Sequence, residues 1–500
     1  MGVRNGSVRA GGPGAFYNSV VTTGFQFAHR VAFEVERAEE ILRAIPATPG
    51  VFALRGERDG DQPYLTRAAD LRRRMKRMLD PPEPTAEGRP LSKRLNLRER
   101  VRWIEYSVTG SEFESLLVVY DAAAATFGAE EARRRLRLHT PYFLRLTMEH
   151  AHPRVYSTNR LSLRALDRTY GPFPSRAAAE RYCDAVLDLF KLRRCYEDLE
   201  VRPDHPGCAY GEMKKCMAPC NSSCTAEEYA AEAKAVEAFF ATHGESMLAG
   251  VAIEREQASA AMDFELAAAA HERYSKVKAA AMFADELVRP VGELRAVIVQ
   301  KVAGGEEAQE AALFLMDGGF LVGPERLSTL GVRAVKEQTS VGSSLFAQPL
   351  MLQAVPLVPE EGVEAVDSPE VRADRVLAKL SGQTKKRAGQ TNPVTADIAK
   401  MGDHLSLFRR WYYRPEKQRA GEVFLENAEG AWPVRRILRG AARMALGEPK
   451  AMAETDRAGV AAAKTKIIHA GREGVERVVP VIAKKGRKKS VVPADVVAEG

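Results

Sequence analysis

Residues Cys195–Cys220 read CYEDLEVRPDHPGCAYGEMKKCMAPC, placing Cys195, Cys208, Cys216 and Cys220 in the spacing C-x12-C-x7-C-x3-C. Four of the six cysteines in the chain fall within these 26 residues. Four thiolates from one short, turn-rich stretch can surround a single metal centre. Pro206, Gly207, Gly211 and Pro219 supply the bends that such a wrap requires. Cys183 lies outside the ladder in the apolar helical pattern RYCDAVLDLF and reads as a small core residue; Cys224 follows just after. Spacing alone leaves the ligand open. A disulfide pair needs an oxidising compartment, which nothing else in the chain suggests. Zinc sites usually show two close cysteine pairs, and here only Cys216 and Cys220 are close. An iron–sulfur cluster tolerates wider, uneven spacing.

At 500 residues the chain has room for about two to four domains. A hydrophobic content of 45% is ample for globular cores, and the 74 Lys+Arg leave a formal charge of +8, which favours an anionic partner such as nucleic acid. No run of 18 apolar residues occurs, so no transmembrane helix and no membrane partner are expected. The lead-in MGVRNGSVRAGGPGAF lacks the apolar core of a signal peptide, and a soluble cytoplasmic protein is the expectation.

On either side of the ladder, the pattern predicts an α+β multidomain chain. Residues 1–35 read as a flexible lead-in and 36–140 as a compact mixed domain. Within the latter, PGVFALRG and QPYLT form a hairpin-like pair, AADLRRRMKRML a basic helix, VRWIEYSVT a strand, and EFESLLVVYDAAAATF an apolar helix with Ser111 as N-cap. Residues 141–225 hold an extended, turn-rich stretch ending in YGPFPS, a helix over 176–194 and the cysteines. Residues 226–290 are helical, with two amphipathic segments joined tightly near Met262-Asp263. Their apolar stripe includes Val251, Met262, Phe264, Leu266 and Val277. Residues 291–447 read as β-rich, with strand signals from 293, Pro and Gly interrupting 340–395, and helix and strand signals over 403–446; Asp317-Gly318-Gly319 between two apolar strands reads as a hairpin turn. The tail 448–500, ending in KKGRKKS, reads as disordered and cationic.

In order, PGVF, PYLTRAADLRRRM, EFESLLVV, YGPFPS, the ladder with CMAPC, and MDFELAAAAHERY resemble the UvrC family, the nuclease subunit of bacterial UvrABC nucleotide excision repair. The resemblance runs from about residue 45 to 285 and continues more weakly to about 430 through FRRWYYRPEKQ. It implies a GIY-YIG nuclease fold at 36–140, with Gly50-Val51-Phe52 at its first motif and Tyr64-Leu65-Thr66 at its second. It also implies a 4Fe-4S cluster on Cys195, Cys208, Cys216 and Cys220, with zinc as the alternative. At 226–290 it implies a UVR-type helical hairpin that docks on a UvrB-like subunit through Phe264 and Glu265. The bland reading of Phe264 is hairpin core.

The chain departs from the family at the chemistry. The first-motif tyrosine is Phe52, which has no hydroxyl to handle a proton. The glutamate that holds Mg2+ or Mn2+ falls on Val119, and valine offers no oxygen ligand. Counting back from Pro141 instead places that position near Glu130 and Glu131. Tyr64 and Arg74 remain as catalytic remnants; Thr66 stands for a glycine and Arg67 for a lysine. Arg67, Arg72, Arg73, Arg74, Lys76 and Arg77 crowd one segment, as contacts to backbone phosphates of DNA do. The RNase H-like domain and the terminal DNA-binding module of the family find no counterpart in the sequence. The expected function is therefore a UvrC-like repair protein that binds DNA and a UvrB-like partner without cutting. The alternatives are a metal-dependent endonuclease making a single incision in damaged DNA, and an iron–sulfur regulatory or scaffold protein.

Overall fold

The computed structural model describes residues 25–446 apart from 59–60, 82–95, 197–198, 305–308, 333–366, 390–393, 416–417 and 428, together with 466–468 and 477–479. The chain divides into two compact units, Met1–Gly447 and Glu448–Gly500.

In the first unit β1 (His29–Ala32), α1 (Ala38–Ala44), β2 (Gly50–Arg55), β3 (Tyr64–Ala68), α2 (Leu71–Leu79) and β4 (Trp103–Val108) form an antiparallel sheet of order β1-β4-β2-β3 with two helices. The helix α2 forms because Leu71, Met75, Met78 and Leu79 recur at helical spacing on its buried face, and Asp70 caps it by accepting from the Arg73 N–H at 2.8 Å. Next come α3 (Glu112–Phe127), capped by Ser111 as expected, and α4 (Ala129–Leu136).

A second antiparallel sheet follows, built from β5 (Tyr142–Leu146), β6 (Val155–Thr158) and β7 (Thr169–Phe173). The YGPFPS stretch explains itself here. Tyr170 and Phe173 are buried on β7, a Cβ on Gly171 would lie 2.6 Å from the Phe143 ring, and Ser175 caps α5 (Arg176–Leu189). The one-turn α6 (Ala209–Glu212) lies in the cysteine segment, and α7 (Ala226–Ala241), α8 (Glu245–Ala260) and α9 (Phe264–Ala281) follow. The strand β8 (Arg289–Pro290) closes the order β6-β5-β7-β8.

The third sheet has order β11-β10-β9-β12, from β9 (Arg295–Lys301), β10 (Glu310–Asp317), β11 (Phe320–Ser328) and β12 (Glu422–Leu425). Asp317 pairs with Phe320 across Gly318 and Gly319, at φ of 55° and 88°, so this is the hairpin turn read from sequence. The expectation of a β-rich region is too narrow. Three helices accompany the third sheet: α10 (Pro369–Gly389) and α11 (Val394–Tyr412) lie between β11 and β12 in the chain, and α12 (Val434–Leu446) follows β12. The first of them lies inside the stretch read as interrupted, because Ala373, Leu377 and Leu380 bury one face at helical spacing. The lead-in also ends earlier than residue 35: β1 pairs with β4, His29 stacking on Tyr106 at 4.7 Å.

One hydrophobic core joins the parts. Phe113, Leu116, Leu117 and Tyr120 of α3 pack with Phe314 of β10 and with Leu405, Phe408 and Trp411 of α11; the Phe113 ring lies 5.1 Å from both Phe314 and Trp411. Tyr120 and Arg133 both donate to the buried Asp403, at 2.9 Å and 2.7 Å, tying α3 and α4 to α11. In the second unit β13 (Lys466–Ile468) pairs antiparallel with β14 (Arg477–Val479), so the tail read as disordered holds a strand pair; KKGRKKS lies outside the described residues. Among the described residues no helix is long and apolar enough to cross a membrane.

Candidate functional site

The hairpin of β2 and β3 sets Phe52 opposite Thr66 and Leu54 opposite Tyr64. All but the last residue of β2 are buried, and the Phe52 ring sits fully inside the core, 6.2 Å from the Tyr64 ring. Tyr64 is half-buried at the strand surface, and its hydroxyl accepts from Arg74 Nη2 at 3.2 Å, so the structure brings the two expected remnants together. A phenol and a guanidinium are both donors towards an anionic oxygen. Val119 is buried on α3, where a carboxylate would be costly. The alternative position is occupied by an ion-paired group. Glu131 accepts from Arg134 Nε and Arg135 Nε, each at 2.7 Å, and the two guanidiniums hold its carboxyl at about 2; Glu130 shares the first turn of the same helix.

The basic face of α2 is as read. Arg72, Arg73, Lys76 and Arg77 are exposed and Arg74 is half-buried, because the apolar positions take the inner side. Arg67 is exposed at the end of β3, close before α2. It reaches a partner that sequence reasoning missed: Glu112, in the first turn of α3, accepts from Arg67 at 2.7 Å and from Arg414 at 2.5 Å. The one available signal was that Glu112 stands seven residues before Val119, two helical turns along the same face.

The cysteine segment is pinned beneath the second sheet. The Arg193 N–H donates to the buried Tyr229 hydroxyl, which donates to the Pro153 carbonyl, both at 2.9 Å, and the Met217 N–H donates to the Lys191 carbonyl at 3.0 Å. Gly207, Lys214, Ala218 and Ser222 adopt left-handed φ, the turns expected of a wrapping loop. Cys216 and Cys220 are buried, and Cys195 and Cys208 are half-buried. Burial pushes the Cys216 thiol up to about 11, with Cys208, Cys195 and Cys220 adding to the rise, so the four share one neighbourhood. Cys216 Sγ accepts from the Ala218 N–H at 3.3 Å, and Arg193 Nη1 donates to Cys195 Sγ at 3.7 Å. Donors aimed at sulfur suit metal-bound thiolates, and these four are the residues that could hold a metal. Among the described residues no group of three His, Cys, Asp or Glu converges to metal-ligand distance.

Residues 142–239, which contain this segment, match the family model described as the UvrC/Cho excinuclease, middle domain. The UvrABC system protein C of Desulforudis audaxviator is 27% identical over 368 residues, covering 71% of this chain and 56% of the relative. That of Dehalococcoides mccartyi is 23% identical over 373 residues, covering 70% and 57%, and that of a Chelativorans species is 28% identical over 241 residues, covering 48% and 35%. The chain is UvrC-like. It spans about half the length of the first two of these curated relatives, and no solved structure matches it.

In the UvrC-like chain the helices α8 and α9 pack together and meet at Met262, whose φ is 60°, with Val251 buried on α8 and Val277 of α9 in the core with α5 and α7. The apolar stripe read from sequence therefore splits. Val251 and Val277 are buried, whereas Met262, Phe264 and Leu266 are exposed, Phe264 at 75%. The core reading of Phe264 fails, because the Asp263 cap starts α9 with that ring pointing outward. Glu265 is exposed beside it.

Proposed function

We propose that this chain is a DNA-binding component of nucleotide excision repair that does not cut. On this reading residues 36–140 are a GIY-YIG fold converted from nuclease to binding platform. The observation that carries it is the pairing of a lost chemistry with a kept surface. Phe52 is sealed in the core and Val119, the residue read at the position of the family's metal-holding glutamate, is buried, while the Tyr64–Arg74 pair and the cationic face of α2 remain presented. Four exposed cations on one helix contact phosphates without reading sequence. The helical pair α8–α9 serves as a UVR-type hairpin for a UvrB-like partner, since Met262, Phe264 and Leu266 form an apolar tip with no cover among the described residues. Cys195, Cys208, Cys216 and Cys220 hold a 4Fe-4S cluster, with zinc as the alternative, in a cytoplasmic setting that keeps thiols reduced.

The retained Tyr64–Arg74 hydrogen bond favours one second reading, a metal-dependent endonuclease making a single incision in damaged DNA. Duplex binding measured against salt tests the leading reading. Affinity should fall steeply with salt, and replacing Arg72, Arg73, Lys76 and Arg77 by alanine should flatten the log–log slope by about 0.9 for each phosphate left unneutralised. Affinity indifferent to salt and to those substitutions would contradict it.

A further inference from the structure

We propose that Arg67, Arg410 and Arg414 form a binding site for a nucleic-acid backbone phosphate at the junction of β3, α3 and α11, with Glu112 holding the phosphate's place. This deepens the DNA-binding reading above and rests on it. Glu112 Oε2 accepts from Arg414 Nη1 at 2.5 Å, and Oε1 accepts from Arg414 Nη2 at 3.1 Å and from Arg67 Nη1 at 2.7 Å. The two-pronged arginine fork on a carboxylate is the geometry in which arginine takes a phosphate. Arg410 stands four residues before Arg414, and its Nη1 and Nη2 donate to the Leu136 and Arg137 carbonyls at 3.1 Å and 2.7 Å. Those bonds close the last turn of α4 and fix the guanidinium in place.

The charge balance is one-sided. Burial, and then the charges of Arg409, Arg414 and Arg67, hold the Arg410 guanidinium below its ordinary value. Glu112 meets two of these cations: the Arg414 and Arg67 guanidiniums hold its carboxyl at about 2, so it is ionised at neutral pH. Arg410 adds its charge beside the Arg67–Glu112–Arg414 cluster, leaving an excess positive field that an incoming anion relieves. The site is reachable, since the Arg67 and Glu112 side chains are 41% and 45% exposed. Because the pair is open to solvent on the Arg67 side, a phosphate can exchange with the carboxylate on the same guanidiniums. Arg67 stands four residues before the start of α2, and the site thus continues the basic face of that helix.

The test uses opposite signs. Glu112→Gln and Arg414→Gln each break the same ion pair in the full chain, and fluorescence anisotropy reads affinity for a labelled duplex at fixed salt. Arg176→Gln and Glu180→Gln, which break an exposed pair on α5, control for net charge. Glu112→Gln should tighten binding about 3-fold and Arg414→Gln should weaken it about 3- to 10-fold, with the controls moving less than about 1.5-fold. If both site variants move affinity in the same direction, or neither moves it, the pair is structural and the site is overturned. If the wild-type chain does not bind duplex at all, the DNA reading fails and takes this site with it. If binding depends on the α2 cations but ignores Glu112 and Arg414, only this site falls. Inorganic phosphate alone separates the sources. If it raises the melting temperature of Glu112→Gln while duplex affinity is unchanged, the site takes free anions and the nucleic-acid assignment is wrong.

Discussion

Glu114 shows how closely the first turn of α3 is fitted to its surroundings. Its carboxylate accepts from the Gly110 N–H at 2.8 Å, and a Cβ on Gly110 would lie 2.2 Å from the Lys301 carbonyl, so this corner is pressed against β9. Burial pushes the Glu114 carboxyl up to about 7. The unfolded chain gives up that proton near 4.3, whereas the fold keeps it, so the contribution to stability is full below about 4.3 and is lost as pH rises towards 7. Glu114→Gln keeps an acceptor for Gly110 and removes the charge. It should stabilise the fold by roughly 1–3 kcal/mol at pH 8 and not at pH 4, read by thermal melts at the two values. An equal effect at both pH values would contradict the assignment. Among single residues the sequence was readable where a local pattern carries the signal, as for Ser111, which caps α3 as expected. It was silent on Glu112, whose partners Arg67 and Arg414 lie 45 and 302 residues away.

Elements were legible where local signals agreed. For α2 the Asp70 cap and the spacing of Leu71, Met75 and Met78 point the same way, and the Asp317-Gly318-Gly319 turn joins two strands that pair antiparallel. They were illegible where a strand is short and at an edge, as β1 is, or where glycines masked a periodic face, as in α10. The joint at Met262-Asp263 was placed correctly, but which side of the pair faces outward depends on what packs beneath it, and sequence spacing does not contain that. Because Phe264 is 75% exposed, Phe264→Ala should leave the melting temperature nearly unchanged while weakening binding to a UvrB-like hairpin by about 2–4 kcal/mol. Calorimetric titration beside a thermal melt checks this. A lowered melting temperature with unaltered affinity would return Phe264 to a structural role.

For the whole molecule, the least legible feature is the shared core. The helix α3 is built into a core with β10 and α11, through Phe113, Tyr120 and Trp411, and locked by Asp403. The Tyr120–Asp403 bond joins residues 283 positions apart, and no periodicity announces it. The cysteine segment was legible as a unit because its four cysteines are close in sequence. Anaerobically purified protein should be brown and carry about four irons per chain. Stoichiometric zinc without iron would replace the cluster by a structural zinc site. Above all, this fold is expected to bind DNA and leave it whole. The direct measurement is nicking of a damaged, supercoiled or labelled duplex in Mg2+ and in Mn2+, with and without a UvrB-like subunit. Binding without incision is expected under every condition; robust nicking by the unmodified chain, lost on Arg74→Ala, would contradict it.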